Sequence, residues 1–144
     1  MSSTRVLLLS LTASALCSLA ATPIALGHGD VTPQVVDTST LAPLGEEWRT
    51  ENPYRGNVQA VEIGKSGYNQ NCARCHGLEV VSGGIAPDLR RLPLDAETDE
   101  YYMESVRRGK SRNGAIYMPP FEGILSQEAM WAIRAYIDTQ YAND

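Results

Sequence analysis

Residues 71–77 read NCARCHG, with two cysteines and a histidine inside five positions. On one helical turn, positions i, i+3 and i+4 lie together. Cys72, Cys75 and His76 can therefore address one flat group, while Ala73 and Arg74 only span the gap. Cys-x-x-Cys-His is the attachment sequence for a c-type haem. In that reading the two thiols add across the haem vinyl groups, giving one covalently bound haem c, and His76 supplies the proximal nitrogen to iron. Rival readings want residues the chain lacks. A structural zinc site needs four ligands, and a second Cys or His pair is absent. A thioredoxin-like redox pair needs a βαβ context, and two cysteines this close make no disulfide framework.

The opening stretch, MSSTRVLLLSLTASALCSLAATPIALG, carries one charge, Arg5, ahead of a run rich in Leu, Ala and Ser. That pattern is a secretory signal over residues 1–27. Ala25 and Gly27 place cleavage after Gly27, with Ala20 or Ala21 as alternatives. An uncleaved anchor is the rival, but the run is broken by Ser, Thr and Pro23 and is short for a span. Cys17 leaves with the signal. Export to the periplasm suits the haem reading, because this attachment is made outside the cytoplasm. Cleavage leaves 117 of 144 residues, enough for one small domain, and moves the net charge from −5 to −6 by the loss of Arg5. An acidic chain argues against nucleic acid, which needs basic surface. A monomer with no membrane span is expected.

Residues 28–57 hold three prolines and little periodicity, and read as an extended arm, loose at first and ordered from about Leu44, with Trp48 and Tyr54 as anchors. A mature N-terminal His28 could bind copper but is expected to fray. Residues 58–144 form the main domain. Its first helix runs from an Asn57 cap to the cysteine cluster, with Val61, Gly64 and Tyr68 on one face. The second is TDEYYMESVRRG, capped by Thr98, with Asp99 and Glu100 at its positive end and Gly109 as its stop. The third starts at Ser126 and buries Ala129, Met130, Ile133, Tyr136 and Ile137. No stretch alternates as a strand, so the fold class is all-α: about three main helices and long loops. So small a core cannot offset chain entropy by itself. A haem's apolar faces would complete it, and the apo-chain is expected to be mostly unfolded.

These residues resemble the class I c-type cytochromes over roughly residues 58–141. The family's first helix runs Gly-x-x-x-aromatic-x-x-x-Cys-x-x-Cys-His, matched by Gly64, Tyr68, Cys72, Cys75 and His76. The resemblance implies that Gly64 lets the last helix cross closely against Ile133 and Tyr136. It also implies that Pro87, in GIAPDL, offers its carbonyl to the far nitrogen of His76, and that Leu89 packs on the haem.

The sixth iron ligand separates a carrier from an enzyme, since an occupied position keeps substrate off the iron. Candidates are Met103, Met118, Met130 and His28. Met103 and Met130 lie within helices, where core filling suits them. Met118 sits in NGAIYMPPFEG, before two prolines that exclude helix and hold a thioether stiffly. The family likewise takes methionine from a loop before its last helix. A His76/Met118 pair implies a one-electron carrier and not an enzyme, with a haem enzyme or gas sensor with an open iron site as the rival. Of the basic residues Arg90, Arg91, Arg107, Arg108, Lys110 and Arg112, one or two are expected on haem propionates and the rest on a solvated rim.

The flanks WRTENPYRGN, YNQNCARCHGLEVVSGGIAPDLRRL and NGAIYMPPFEGILSQEAMWAIRAYI are most similar to the periplasmic cytochromes that accept electrons from quinoprotein (PQQ-dependent) ethanol dehydrogenases. That resemblance implies a quinoprotein alcohol dehydrogenase as donor and a downstream cytochrome or oxidase as acceptor. Service to a nitrite reductase, a sulfur-oxidising enzyme or a terminal oxidase is the alternative.

Overall fold

The computed structural model describes residues 32–142. The expected signal, Cys17 and His28 lie outside the described residues. Helix α1 (Val58–Asn71) starts where expected, with the Asn57 side chain accepting from the Ala60 N–H at 3.1 Å. It bends at Cys72 into the single turn α2 (Ala73–His76), and a short 3-10 turn over Leu78–Val80 follows. A second 3-10 turn covers Leu89–Arg91. Helix α3 (Ala96–Arg108) begins earlier than the sequence reading has it. Its cap is Asp95, whose carboxylate accepts from the Thr98 N–H at 2.7 Å, so Thr98 lies inside the first turn. Gly109 ends it as expected, at φ 70°. Helix α4 (Gln127–Thr139) is capped by Ser126, which accepts from the Ala129 N–H at 3.1 Å.

The all-α class holds with one exception. Strands β1 (Lys110–Arg112) and β2 (Ala115–Met118) pair antiparallel into a small hairpin. Its turn is Asn113-Gly114, both at positive φ, which is the conformation a two-residue hairpin turn demands.

Helices α1 and α4 cross at Gly64. A Cβ there would lie 1.8 Å from the Ala132 carbonyl oxygen, so only glycine permits this approach. Ile133 packs one turn further along, against Gly67, and the Tyr68 and Tyr136 rings meet at 5.5 Å. Every residue of α4 from Ala129 to Ile137 is buried. On the face away from α1 lie Trp131, stacked near Tyr102 of α3 at 6.3 Å, and Arg134, which is wholly enclosed. Arg134 donates to Asp99 at 3.0 Å and to the Pro93 carbonyl at 2.5 Å. Arg55 reaches the same Asp99 at 2.7 Å and Asp138 at 2.9 Å. Two guanidinium groups thus neutralise a carboxylate that has no access to water.

The arm, residues 32–57, has no helix or strand, yet it packs earlier than expected. Val36 and Leu41 are buried ahead of Leu44. The Asn71 side chain pairs with the Gln34 backbone in both directions, at 2.6 and 3.1 Å. Leu44 and Arg49 donate their N–H groups to the Glu128 and Gln127 side chains, at 2.8 and 2.6 Å. Tyr54, buried as expected, donates its hydroxyl to the Ala42 carbonyl. The arm therefore closes over the α1 and α4 ends as part of the core.

Candidate functional site

The cysteine cluster sits on one helical turn. Cys75 and His76 donate their N–H groups to the Cys72 carbonyl, at 3.1 and 2.9 Å, so the i, i+3, i+4 geometry is realised. No disulfide joins Cys72 to Cys75. Burial, with Cys75 adding, pushes the Cys72 thiol up to about 12. Among the described residues, no group of three or more His, Cys, Asp or Glu side chains gathers to hold a metal ion.

The histidine is held from its far side. His76 Nδ1 lies 3.0 Å from the Pro87 carbonyl oxygen, which fixes the proton on Nδ1 and leaves Nε2 to act as a ligand. The loop carrying Pro87 is braced by Ser82, whose hydroxyl donates to the Ala86 carbonyl at 2.5 Å and accepts from the Gly84 N–H at 3.1 Å. After His76 the chain turns at Gly77 (φ 85°), where a Cβ would strike the Val81 carbonyl oxygen at 1.8 Å. The Tyr68 hydroxyl donates to the Gly77 carbonyl at 2.8 Å. Burial raises that phenol well above its ordinary value, so it stays a donor.

Met118 ends β2, half-buried against the core that also receives Cys72, Leu89 and Leu92. Gly109 makes room for it: a Cβ there would meet the Met118 carbonyl oxygen at 2.4 Å. Beyond the two prolines, Phe121 and Glu122 donate N–H groups to the Val106 and Arg107 carbonyls, at 3.0 and 3.2 Å. The Met118 segment is thus laid against the last turn of α3. Met103 and Met130 are enclosed in protein, in α3 and α4, as core filling requires.

The residues present fit a haem. The loop after His76 leaves Leu78, Val81 and Ile85 exposed, and the strand before Met118 leaves Ile116 and Tyr117 exposed. Two apolar segments flanking the ligand candidates, both uncovered by protein, suit an apolar macrocycle better than water. Of the basic residues weighed for propionates, Arg90 pairs with Asp88 at 2.6 Å, Arg107 with Glu122 at 2.8 Å and Arg108 with Glu104, and Lys110 lies 4.7 Å from the Tyr101 ring centroid.

A family model described as cytochrome c oxidase, cbb3-type, subunit III matches residues 59–137. Cytochrome c550 of Pseudomonas aeruginosa is 56% identical over 133 residues, covering 90% of this chain and 92% of that one. The chain belongs to the class I c-type cytochromes. It carries covalently bound haem c, and its family transfers electrons. This cytochrome is also 33% identical, over 96 residues, to quinohemoprotein alcohol dehydrogenase ADH IIB of Pseudomonas putida. That match covers 67% of this chain but 13% of the dehydrogenase. Among solved structures, cytochrome cL of Methylophaga aminisulfidivorans has the same fold, with a TM-score of 0.52 and 21% identity over 75% of this chain and 79% of that one. No helix among the described residues is long and apolar enough to cross a membrane.

Sequence reasoning missed the hairpin that delivers Met118, although Asn113-Gly114 is its direct signal. It read Gly109 only as a helix stop, whereas the glycine also admits the Met118 segment. Ser82 and Asn71 carried no signal, since their roles come from loops meeting across the fold.

Proposed function

We propose that this cytochrome is exported to the periplasm, accepts single electrons from a quinoprotein alcohol dehydrogenase and passes them to a downstream cytochrome or oxidase. Residues 1–27 are its export signal, 28–57 its arm and 58–144 its haem-binding domain, and it acts as a monomer. Bound haem supplies reversible one-electron oxidation and reduction of iron. Cys72 and Cys75 would tether it, and His76 Nε2 and the Met118 thioether would be its iron ligands.

The Met118 assignment is supported by what surrounds each methionine. A side chain that faces the haem has protein on one side only. Met103 and Met130 have protein all round, at 3% and 0% exposure, whereas Met118 is partly open. With His76 and Met118 both in place, substrate has no route to iron. The Pro87 bond would hold the imidazole in one orientation, so little need move when the charge changes.

The donor reading is carried by the match to a quinohemoprotein alcohol dehydrogenase. Two thirds of this chain resembles a segment forming a small part of that enzyme, whose name couples a quinone with a haem. A free chain of the same kind can serve a dehydrogenase by docking, as a fused segment serves by proximity. The test is stopped-flow mixing of substrate-reduced quinoprotein alcohol dehydrogenase with oxidised cytochrome. Haem reduction at least as fast as the dehydrogenase turns over is expected. Reduction far slower than turnover at every ionic strength would remove this donor and leave a carrier for another oxidoreductase.

A further inference from the structure

The Arg107 guanidinium bridges the arm and the Met118 segment. Arg107 lies in the last turn of α3, with its Cζ 3.9 Å from the centroid of the Trp48 ring. Its Nη2 donates to Glu122 Oε1 at 2.8 Å, four residues beyond Met118. The Arg107 and Val106 carbonyls accept the Glu122 and Phe121 N–H groups. Arg107 Nε is buried and has no hydrogen-bond partner among the described residues. Stacking on the indole is therefore what covers it, and the guanidinium is held from one side by Trp48 and from the other by Glu122. Beside the stack opens a cleft of about 400 Å³, bounded by Trp48, Arg49, Glu100 and Glu104. Packing from that side does not replace the indole.

We propose that Trp48 is a positioning residue for the distal ligand: through Arg107 and Glu122 it holds the Met118–Glu122 segment against α3, and so sets how readily Met118 leaves the iron. This rests on Met118 being the sixth ligand. An exposed ion pair contributes little by itself, but here the same arginine is fixed by an aromatic face, which restricts it to the geometry that grips Glu122. The arm thereby connects the cytochrome's surface to its ligand loop, and a partner that displaced Trp48 would loosen the ligand without touching it.

The test uses the holo-protein and two signals. One is the rate of carbon monoxide binding to reduced protein, which requires Met118 to leave. The other is the temperature at which the ferric sulfur-to-iron charge-transfer band disappears, compared with the temperature at which helical circular dichroism is lost. Trp48→Ala should bind carbon monoxide about two- to thirty-fold faster, the range a guanidinium–aromatic stack commands. It should also lose the band at a lower temperature while the helix transition moves less. Trp48→Phe, which keeps a ring face, should recover most of both, and Glu122→Gln should shift both the same way. Met118→Ala is run alongside. If it keeps the band, the ligand assignment falls and this inference with it. If it loses the band while Trp48→Ala and Glu122→Gln bind carbon monoxide at the wild-type rate, the inference alone is overturned. Equal shifts of band and helix transitions in Trp48→Ala would also overturn it, because the indole would then be stabilising the whole fold.

Discussion

Replacing Gly64 with alanine drives a side chain into the backbone of the neighbouring helix. The new Cβ would lie 1.8 Å from the Ala132 carbonyl oxygen, 2.4 Å from its carbon and 2.9 Å from the Ile133 nitrogen. All three are backbone atoms of a helix that is buried on every side, so no side chain can swing away. Carbon contacts settle near about 3.5 Å, so α1 and α4 must part by more than an ångström. Alanine gains about 1 kcal/mol over glycine within a helix. Overpacking a tight core costs about 1–3 kcal/mol, and more where backbone must shift. The backbone clash places Gly64→Ala at or above the top of that range, for a net loss of about 2 kcal/mol or more. Two other glycines supply the scale. At Gly67 the new Cβ would be 3.1 Å from the Ile133 and Val36 side chains, which can yield, so the loss should be smaller. At Gly83 nothing lies within 4 Å, so alanine should be close to neutral. Guanidinium unfolding of the three holo-variants, followed by circular dichroism, gives the ranking. If Gly64→Ala proved no worse than Gly83→Ala, the close crossing of α1 and α4 would be refuted.

Met118→Ala should abolish the sulfur-to-ferric-iron band, open the iron to carbon monoxide and lower the reduction potential. Met103→Ala and Met130→Ala should keep the band and lose about 2–5 kcal/mol of stability in denaturant titrations. Arg134→Met leaves the enclosed Asp99 with Arg55 as its remaining cationic partner, and should cost about 3–5 kcal/mol in the same titration. Burial raises the Glu128 carboxyl, but the Leu44 N–H bond and the bonds beside it outweigh burial and hold it below the ordinary value. A depressed folded pKa gives stability that is complete above the unfolded value of about 4.3 and is lost as pH falls through the lower folded value. Hydrogen exchange at the Leu44 amide should therefore quicken in that acid window, beyond its intrinsic pH dependence, and Glu128→Gln should remove the extra step.

Where one residue type carried one local job, the sequence was legible. Asn57 and Ser126 cap their helices because a short polar side chain ahead of an apolar-periodic run has few other uses. Cys72, Cys75 and His76 share a turn because their spacing permits little else. The start of α3 was misplaced because Asp95 and Thr98 are both competent caps, and only the backbone shows which one stands outside the helix. Asp99 looked like a charge complementing the helix dipole, yet it is the buried partner of Arg134 and Arg55. That network joins the arm, α3 and α4 across 35 and 44 residues of sequence, a range beyond any periodicity. The arm's early packing was hidden for the same reason: Gln34 and Val36 find their partners on α1, at Asn71 and Gly67.

The central claim is that Cys72 and Cys75 tether one haem to this chain. Intact mass spectrometry of the exported protein, before and after extraction with acidified organic solvent, tests it most directly. The mass should exceed that of the mature polypeptide by one haem and stay unchanged by extraction, while Cys72→Ser with Cys75→Ser should lose the added mass. A haem that washed out of the wild-type protein, or a mass equal to the bare polypeptide, would contradict the account.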